Sequence, residues 1–163
     1  MKDLIVYYSL EGNTEYVVNR IKEKTGADVL KLVPKKAYAD KGFAKFVWGG
    51  KSAMMSEKPK LQEYEVDLTK YDRVIFGFPV WASTFTPPIR TFIAENMAAL
   101  KGMKIAAFAC QTAKGADQAF EKLAKYLGIS SFDAKASFLD PKLIPDEKKD
   151  AQIEAFGDLL TIG

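Results

Sequence analysis

The stretch Ser9-Leu10-Glu11-Gly12-Asn13-Thr14 separates two differently patterned segments, and its reading decides the fold. Before it, Leu4-Ile5-Val6-Tyr7-Tyr8 is a continuous apolar run, the pattern of a short buried strand. After it, Tyr16, Val17, Val18 and Ile21 recur at a spacing that suits one face of a helix. The stretch is therefore predicted to be a strand-to-helix turn rich in small hydroxyl and amide side chains. Such a turn leaves the first amides of the helix unpaired, and an anion placed there collects their hydrogen bonds and the positive end of the helix dipole. Ser9, Asn13 and Thr14 would add side-chain donors, and Gly12 would let the backbone come close. A phosphate group is the natural guest.

Outward from this turn, strand-like and helix-like segments alternate along the chain. A helix is expected over about 12–25, closed by Gly26, then a second strand from Ala27 to Val33 ending at Pro34. Residues 35–65 read as a long connection with a short helix around Phe43–Val47, followed by Trp48. Arg73–Gly77 reads as a third strand, and Thr86 as the cap of a helix with Pro87 or Pro88 in its first turn, running through Ile89, Phe92, Ile93 and Met97. Met103–Ala109 is a fourth strand, Asp117–Leu127 a helix stopped by Gly128, Ser131–Leu139 a fifth strand and Asp146–Leu160 a closing amphipathic helix. Strict alternation implies a mostly parallel sheet with helices on both faces, because parallel neighbours need crossovers. Ligands of such sheets bind beyond the carboxyl ends of the strands. That rule brings together the loops at 9–14, 77–86 and 109–116.

Composition narrows the chemistry. The 163 residues contain no histidine and one cysteine, Cys110, so imidazole bases, histidine triads and zinc or iron–sulfur centres drop out. One cysteine also forms no internal disulfide, which suits a reducing, cytoplasmic setting. The length fits a single domain, 1–163; no signal peptide is evident, and no apolar run is long enough to span a bilayer. The net charge of +3 is uneven: residues 31–60 hold eight lysines against Asp40 and Glu57. Such a run is most simply a solvated face, with docking of an acidic redox partner as the functional alternative. The run carries no arginine and no nucleic-acid motif, so no nucleic acid is expected.

The second loop reads Gly77-Phe78-Pro79-Val80-Trp81-Ala82-Ser83-Thr84-Phe85. A tryptophan in an exposed loop is explained by a flat conjugated ligand against which the indole stacks, the simpler alternative being an indole folded onto its own loop. Pro79 and Pro87-Pro88 stiffen the loop ends. The third loop, Cys110-Gln111-Thr112-Ala113-Lys114-Gly115, offers polar backbone and little bulk to the edge of a heterocycle; Cys110 itself reads as a buried strand-end residue.

The chain resembles the flavodoxins and flavodoxin-like FMN proteins along most of its length. Tyr7, Ser9, Gly12 and Thr14 match the family's phosphate signature, with Val18 departing where the family has alanine. Gly77-x-Pro79-Val80-Trp81 followed by Pro87-Pro88 resembles its second flavin loop. The resemblance implies a short-chain, flavodoxin-like three-layer α/β sandwich around a five-stranded parallel sheet of order 2-1-3-4-5. It implies FMN held without covalent attachment. Ser9, Leu10, Glu11, Gly12, Asn13 and Thr14 would surround the phosphate; Pro79, Val80, Trp81, Ala82, Ser83, Thr84, Cys110, Gln111, Thr112 and Gly115 would surround the ring. It implies electron transfer between redox partner proteins, or an NAD(P)H-dependent quinone or flavin oxidoreductase acting on a small quinone or nicotinamide substrate. A phospho-receiver domain on this fold would need acidic residues after the first strand, where Tyr8-Ser9-Leu10 offers none beyond Glu11.

Three departures from the family shape the expectations. Residues 110–116 lack an aromatic, so one ring face is open or covered from elsewhere, with Trp48 a candidate cover. Ala82 replaces the glycine that would let the peptide after Trp81 flip freely. The chain is basic where flavodoxins are acidic, and positive charge favours the anionic reduced flavin. A reduction potential less negative than that of the acidic members is expected.

Overall fold

The computed structural model describes residues 1–38, 57–141 and 147–162. The short helix expected near Phe43–Val47, and Trp48, lie outside the described residues. The elements run β1 (Asp3–Tyr7), α1 (Asn13–Thr25), β2 (Asp28–Lys31), a 3₁₀ turn (Leu68–Lys70), β3 (Arg73–Pro79), α2 (Pro87–Leu100), β4 (Lys104–Gln111), α3 (Ala116–Leu127), β5 (Lys135–Leu139) and α4 (Glu147–Ile162). The five strands pair in parallel in the order β2-β1-β3-β4-β5, as expected.

Two strand boundaries differ from the sequence reading. The second strand keeps only Asp28–Lys31 of the expected 27–33, since Pro34 instead pairs antiparallel with Leu61. The fifth begins at Lys135 rather than Ser131, with the backbone of Asp133 and Ala134 leading into it through hydrogen bonds to Ile105 and Ala107 of β4. Both are edge strands, where one neighbour fewer makes pairing easier to end. The third strand runs on to Pro79 and the fourth to Gln111, which extends both beneath the expected site.

Alternation along the central strands sorts side chains into two cores. Leu4, Val6, Val74, Phe76, Phe78, Ile105, Ala107 and Ala109 face α2 and α3, where Ile89, Phe92, Ile93, Phe120 and Leu123 meet them. Ile5, Tyr7, Ile75, Ala106, Phe108 and Cys110 face α1 and α4, against Val17, Val18, Ile21, Ile153, Phe156 and Leu160. Successive strand residues point to opposite faces, so a continuous apolar run is the signature of a strand covered on both sides. Gly77 has a packing reason: a Cβ there would sit 2.3 Å from the Phe108 ring.

At the amino ends of the strands, Arg73 is 1% exposed, yet each of its three guanidinium nitrogens has a partner. Its Nε and Nη2 donate to the two Asp3 carboxylate oxygens at 2.9 and 2.8 Å. Nη1 donates to Asp133 at 2.7 Å, and Nη2 also reaches the Leu160 carbonyl of α4 at 2.6 Å. One guanidinium thus ties β1, β3, the lead into β5 and the last helix. This network lies at the amino ends of the strands, opposite the loops that follow β1, β3 and β4.

Candidate functional site

The turn after β1 has the local chemistry the sequence promised. Gly12 is the N-cap of α1 at φ +100°, a left-handed conformation that a side chain would resist. No side chain caps the helix at that position; the Ser9 hydroxyl instead accepts the Glu15 amide at 3.3 Å and keeps its own proton to donate. Leu10 is half-buried and Glu11 exposed, with Gly12 and Asn13 half-buried between them and the helix. Thr14 is 1% exposed, and its hydroxyl has no hydrogen-bond partner. A buried, unpaired hydroxyl costs free energy, so its presence at the head of an uncapped helix points to a ligand that completes it.

Beyond β3 the chain makes a tight reversal. Trp81 and Thr84 exchange two backbone hydrogen bonds, 3.2 and 3.0 Å, around Ala82 and Ser83. Both intervening residues have positive φ, +49° and +57°, the sign pattern of a type I′ turn made without glycine. Each left-handed non-glycine residue costs about 1–2 kcal/mol. The turn therefore stores strain beside Trp81, as backbone at functional sites often does. Thr86 stands at the N-cap of α2 as predicted, but its hydroxyl caps nothing and is buried without a partner. Pro87 and Pro88 supply no N–H, and the Ile89 amide goes to the Thr86 carbonyl at 3.1 Å.

The third loop is shaped by its neighbours. Gln111 Oε1 accepts the Ala116 amide at 3.1 Å and so stands in for a cap on α3, whose N-cap Gly115 lies at φ +108°. Thr112 is exposed and donates to Asp140 Oδ1 at 3.4 Å. Cys110 is 4% exposed, as expected of a strand-end residue. Burial pushes its thiol up to about 12; the adjacent Thr14 hydroxyl works against the shift and the Asp140 carboxylate adds to it. That sulfur contact falls short of a hydrogen bond, so Thr14 Oγ1 still counts as unpartnered. The thiol is not a nucleophile in this state.

All three loops meet pairwise. Thr14 of the first lies beside Cys110 of the third. Val80 and Ser83 of the second press on Gly115 of the third, where a Cβ would stand 2.9 Å from Ser83 Oγ. The Val80 amide donates to the Cys110 carbonyl at 2.9 Å, carrying the sheet past Pro79. Tyr8, next to the first loop, meets Trp81 of the second edge-on, with ring centres 5.7 Å apart and planes at 81°.

Sequence reasoning missed three residues here. Tyr38 packs edge-on against Trp81 at 5.2 Å and 75°, and against Tyr8 at 6.1 Å and 74°. The three rings lie in mutually steep planes, so the half-buried indole is packed by two phenols. Tyr8 is buried, and loss of solvation raises its phenol pKa. Asp140 is buried at φ +37° and its amide donates to the Gln111 carbonyl at 3.0 Å. Tyr38 and Asp140 follow the second and fifth strands. The rule that ligands gather at carboxyl ends, applied to all five strands, would have included both.

Comparison with known proteins gives the family and the fold. The family profile described as flavodoxin matches residues 2–152. The chain belongs to the flavodoxin family. Among solved structures, a flavoprotein of Lactobacillus acidophilus in complex with FMN superposes with a TM-score of 0.74 at 16% identity, covering 95% of this chain and 97% of that one. A flavoprotein-type structure from Bacteroides eggerthii gives 0.73 at 22% identity, with 99% of each chain covered. The two-electron reduced flavodoxin of Megasphaera elsdenii gives 0.58 at 18%, again with 99% of each covered. At such identities the likeness is one of fold. No curated protein sequence matches the chain significantly. Among the described residues no helix is long and apolar enough to cross a membrane, and no cluster of histidine, cysteine or carboxylate side chains is arranged to hold a metal ion.

Proposed function

We propose that this flavodoxin-family chain binds FMN without covalent attachment and carries electrons between redox partners in a reducing compartment, the cytoplasm. The observation that carries the reading is the buried, unpartnered Thr14 hydroxyl at the head of α1, in a turn that meets the Trp81 loop through Cys110 and Gly115. The residues fit the group. Ser9 to Thr14 form a phosphate cradle of hydroxyls, amide side chain and helix N-terminus. Trp81, fixed by its strained turn and two tyrosines, would stack on the ring, and main-chain groups near Gln111 and Thr112 would hydrogen-bond its polar edge.

When bound, FMN supplies the redox chemistry, and the protein supplies position, access and electrostatics. Thr14 and Ser9 donate hydrogen bonds to the phosphate and anchor one end. Trp81 excludes water from one ring face, and Gly115 keeps the second and third loops close enough to share the ring. No residue of the site is assigned as a catalytic acid or base.

One observation favours a second reading, an NAD(P)H-dependent quinone or flavin reductase. Thr112, Ala113 and Lys114 are exposed and small or flexible, so the third loop leaves room for a planar substrate against the ring. Two measurements separate the cases. A purified protein that is yellow, or turns yellow with added FMN, supports the cofactor; a colourless protein that takes up none refutes it. Rapid oxidation of NADH or NADPH with a quinone present selects the reductase, and no turnover selects the carrier.

A further inference from the structure

Four exposed lysines lie on a backbone ribbon that leads into Tyr38 of the aromatic trio. Beyond β2 the chain pairs antiparallel with the segment before the 3₁₀ turn: the Lys35 amide donates to the Lys60 carbonyl at 2.8 Å, the Gln62 amide to the Val33 carbonyl at 2.7 Å, and Pro34 faces Leu61. This clip places Lys35, Lys36, Lys58 and Lys60 on one short ribbon, all exposed. None of the four makes an ion pair among the described residues, whereas Lys24 is paired with Glu154 and Asp158 and Lys31 with Glu15. Glu57 at one end of the ribbon and Glu63 just beyond Gln62 are its exposed acidic neighbours, which leaves lysine in excess. Two residues after Lys36, Tyr38 packs on Trp81. An excess of positive charge is thus tied, through a backbone pairing that buries Leu61, to the tyrosine that packs on Trp81.

We propose that this lysine clip is the docking surface for an acidic one-electron carrier protein, which exchanges electrons with the cofactor beside Tyr38 and Trp81. The proposal rests on the flavin reading above. Surface charge of one sign next to an electron-transfer edge steers a partner of the opposite sign and raises the encounter rate, an effect that salt screens. Lysine suits this use because its flexible, hydrated ammonium holds a partner loosely and lets it leave. In the donor direction each encounter oxidises the carrier's iron–sulfur centre by one electron. Two encounters, with protons taken from water, complete the reduction of one FMN.

The test uses the FMN-loaded full chain and, as probe, a reduced plant-type ferredoxin, an acidic iron–sulfur protein. The rate of flavin bleaching is followed by stopped flow across ionic strength. The unmodified protein should react fastest at low salt, and K35E/K60E should slow it there by about tenfold or more. The control K101E/K104E, two exposed lysines at the amino end of the sheet, should leave the rate within about twofold. Retained FMN absorbance shows that each variant is folded. A salt-independent rate, equal losses in both variants, or equal slowing of electron transfer to the basic carrier cytochrome c would overturn the docking surface and leave the flavin reading intact. A protein that binds no FMN would overturn both.

Discussion

Thr14→Val puts the phosphate cradle to a test in which binding and stability move in opposite directions. Valine keeps the branched shape and removes only the hydroxyl. In the free protein that hydroxyl is 1% exposed and unpartnered, a desolvation cost of about 1–3 kcal/mol. Removing it should stabilise the apoprotein by some part of that amount, because the side chain then matches its surroundings. With a phosphate present the same hydroxyl donates to a charged group, an interaction of about 1.5–3 kcal/mol. FMN affinity should therefore fall by about 12-fold to 150-fold, since about 1.4 kcal/mol is a factor of ten. Urea unfolding of the apoprotein gives the first quantity, and quenching of flavin fluorescence on titration gives the second. Riboflavin, which lacks the phosphate, should bind equally to both proteins. A variant whose apoprotein is destabilised, or which binds FMN as tightly as the parent, would refute the assignment of Thr14.

Three further outcomes follow from the geometry. Ala82→Gly removes about 1–2 kcal/mol of left-handed strain and adds about 0.5–1 kcal/mol of chain entropy cost, so the urea midpoint of the apoprotein should rise slightly. FMN affinity should fall as Trp81 loses its fixed turn; tighter binding would show that the strain works against the cofactor. Arg73→Met should cost about 3–5 kcal/mol, because Asp3 is left buried without its partner, and a loss below about 1 kcal/mol on urea unfolding would contradict the network. Cys110 titrates from 9.0 toward about 12 on folding, so the thiol stays protonated in the native state while the unfolded chain ionises. That difference costs nothing below pH 9 and grows at about 1.4 kcal/mol per pH unit above it. Cys110→Ala should flatten the alkaline loss of stability, and native Cys110 should resist iodoacetamide at pH 8; rapid alkylation there would disprove its burial.

Central elements were legible in the sequence because both of their faces are covered. Ile75, Phe76, Phe108 and Ala109 are buried whichever way they point, so an apolar run needs no further context to be read as a strand. The edge elements were not, since Ser131–Ala134 and Leu32–Val33 depend on what pairs with them. The site divides in the same way. Ser9, Gly12, Thr14 and Trp81 announce themselves by residue type within a short turn. Tyr38 and Asp140 do not, because a tyrosine in a long connection and an aspartate after a strand are commonplace until the chain returns them to the same end of the sheet.

The order of hydrophobic and polar residues by itself determined alternating strands and helices, a parallel sheet covered on both faces, and a turn after β1 chemically suited to an anion, because these follow from local periodicity and small side chains. Tertiary structure alone decided that the Thr14 hydroxyl is left unpaired beside Cys110, that Ala82 and Ser83 are forced into left-handed backbone, and that Tyr8 and Tyr38 pack on Trp81 near four lysines that make no ion pair among the described residues. These are contacts between residues far apart in sequence, fixed by strand order and packing, and no local pattern encodes them.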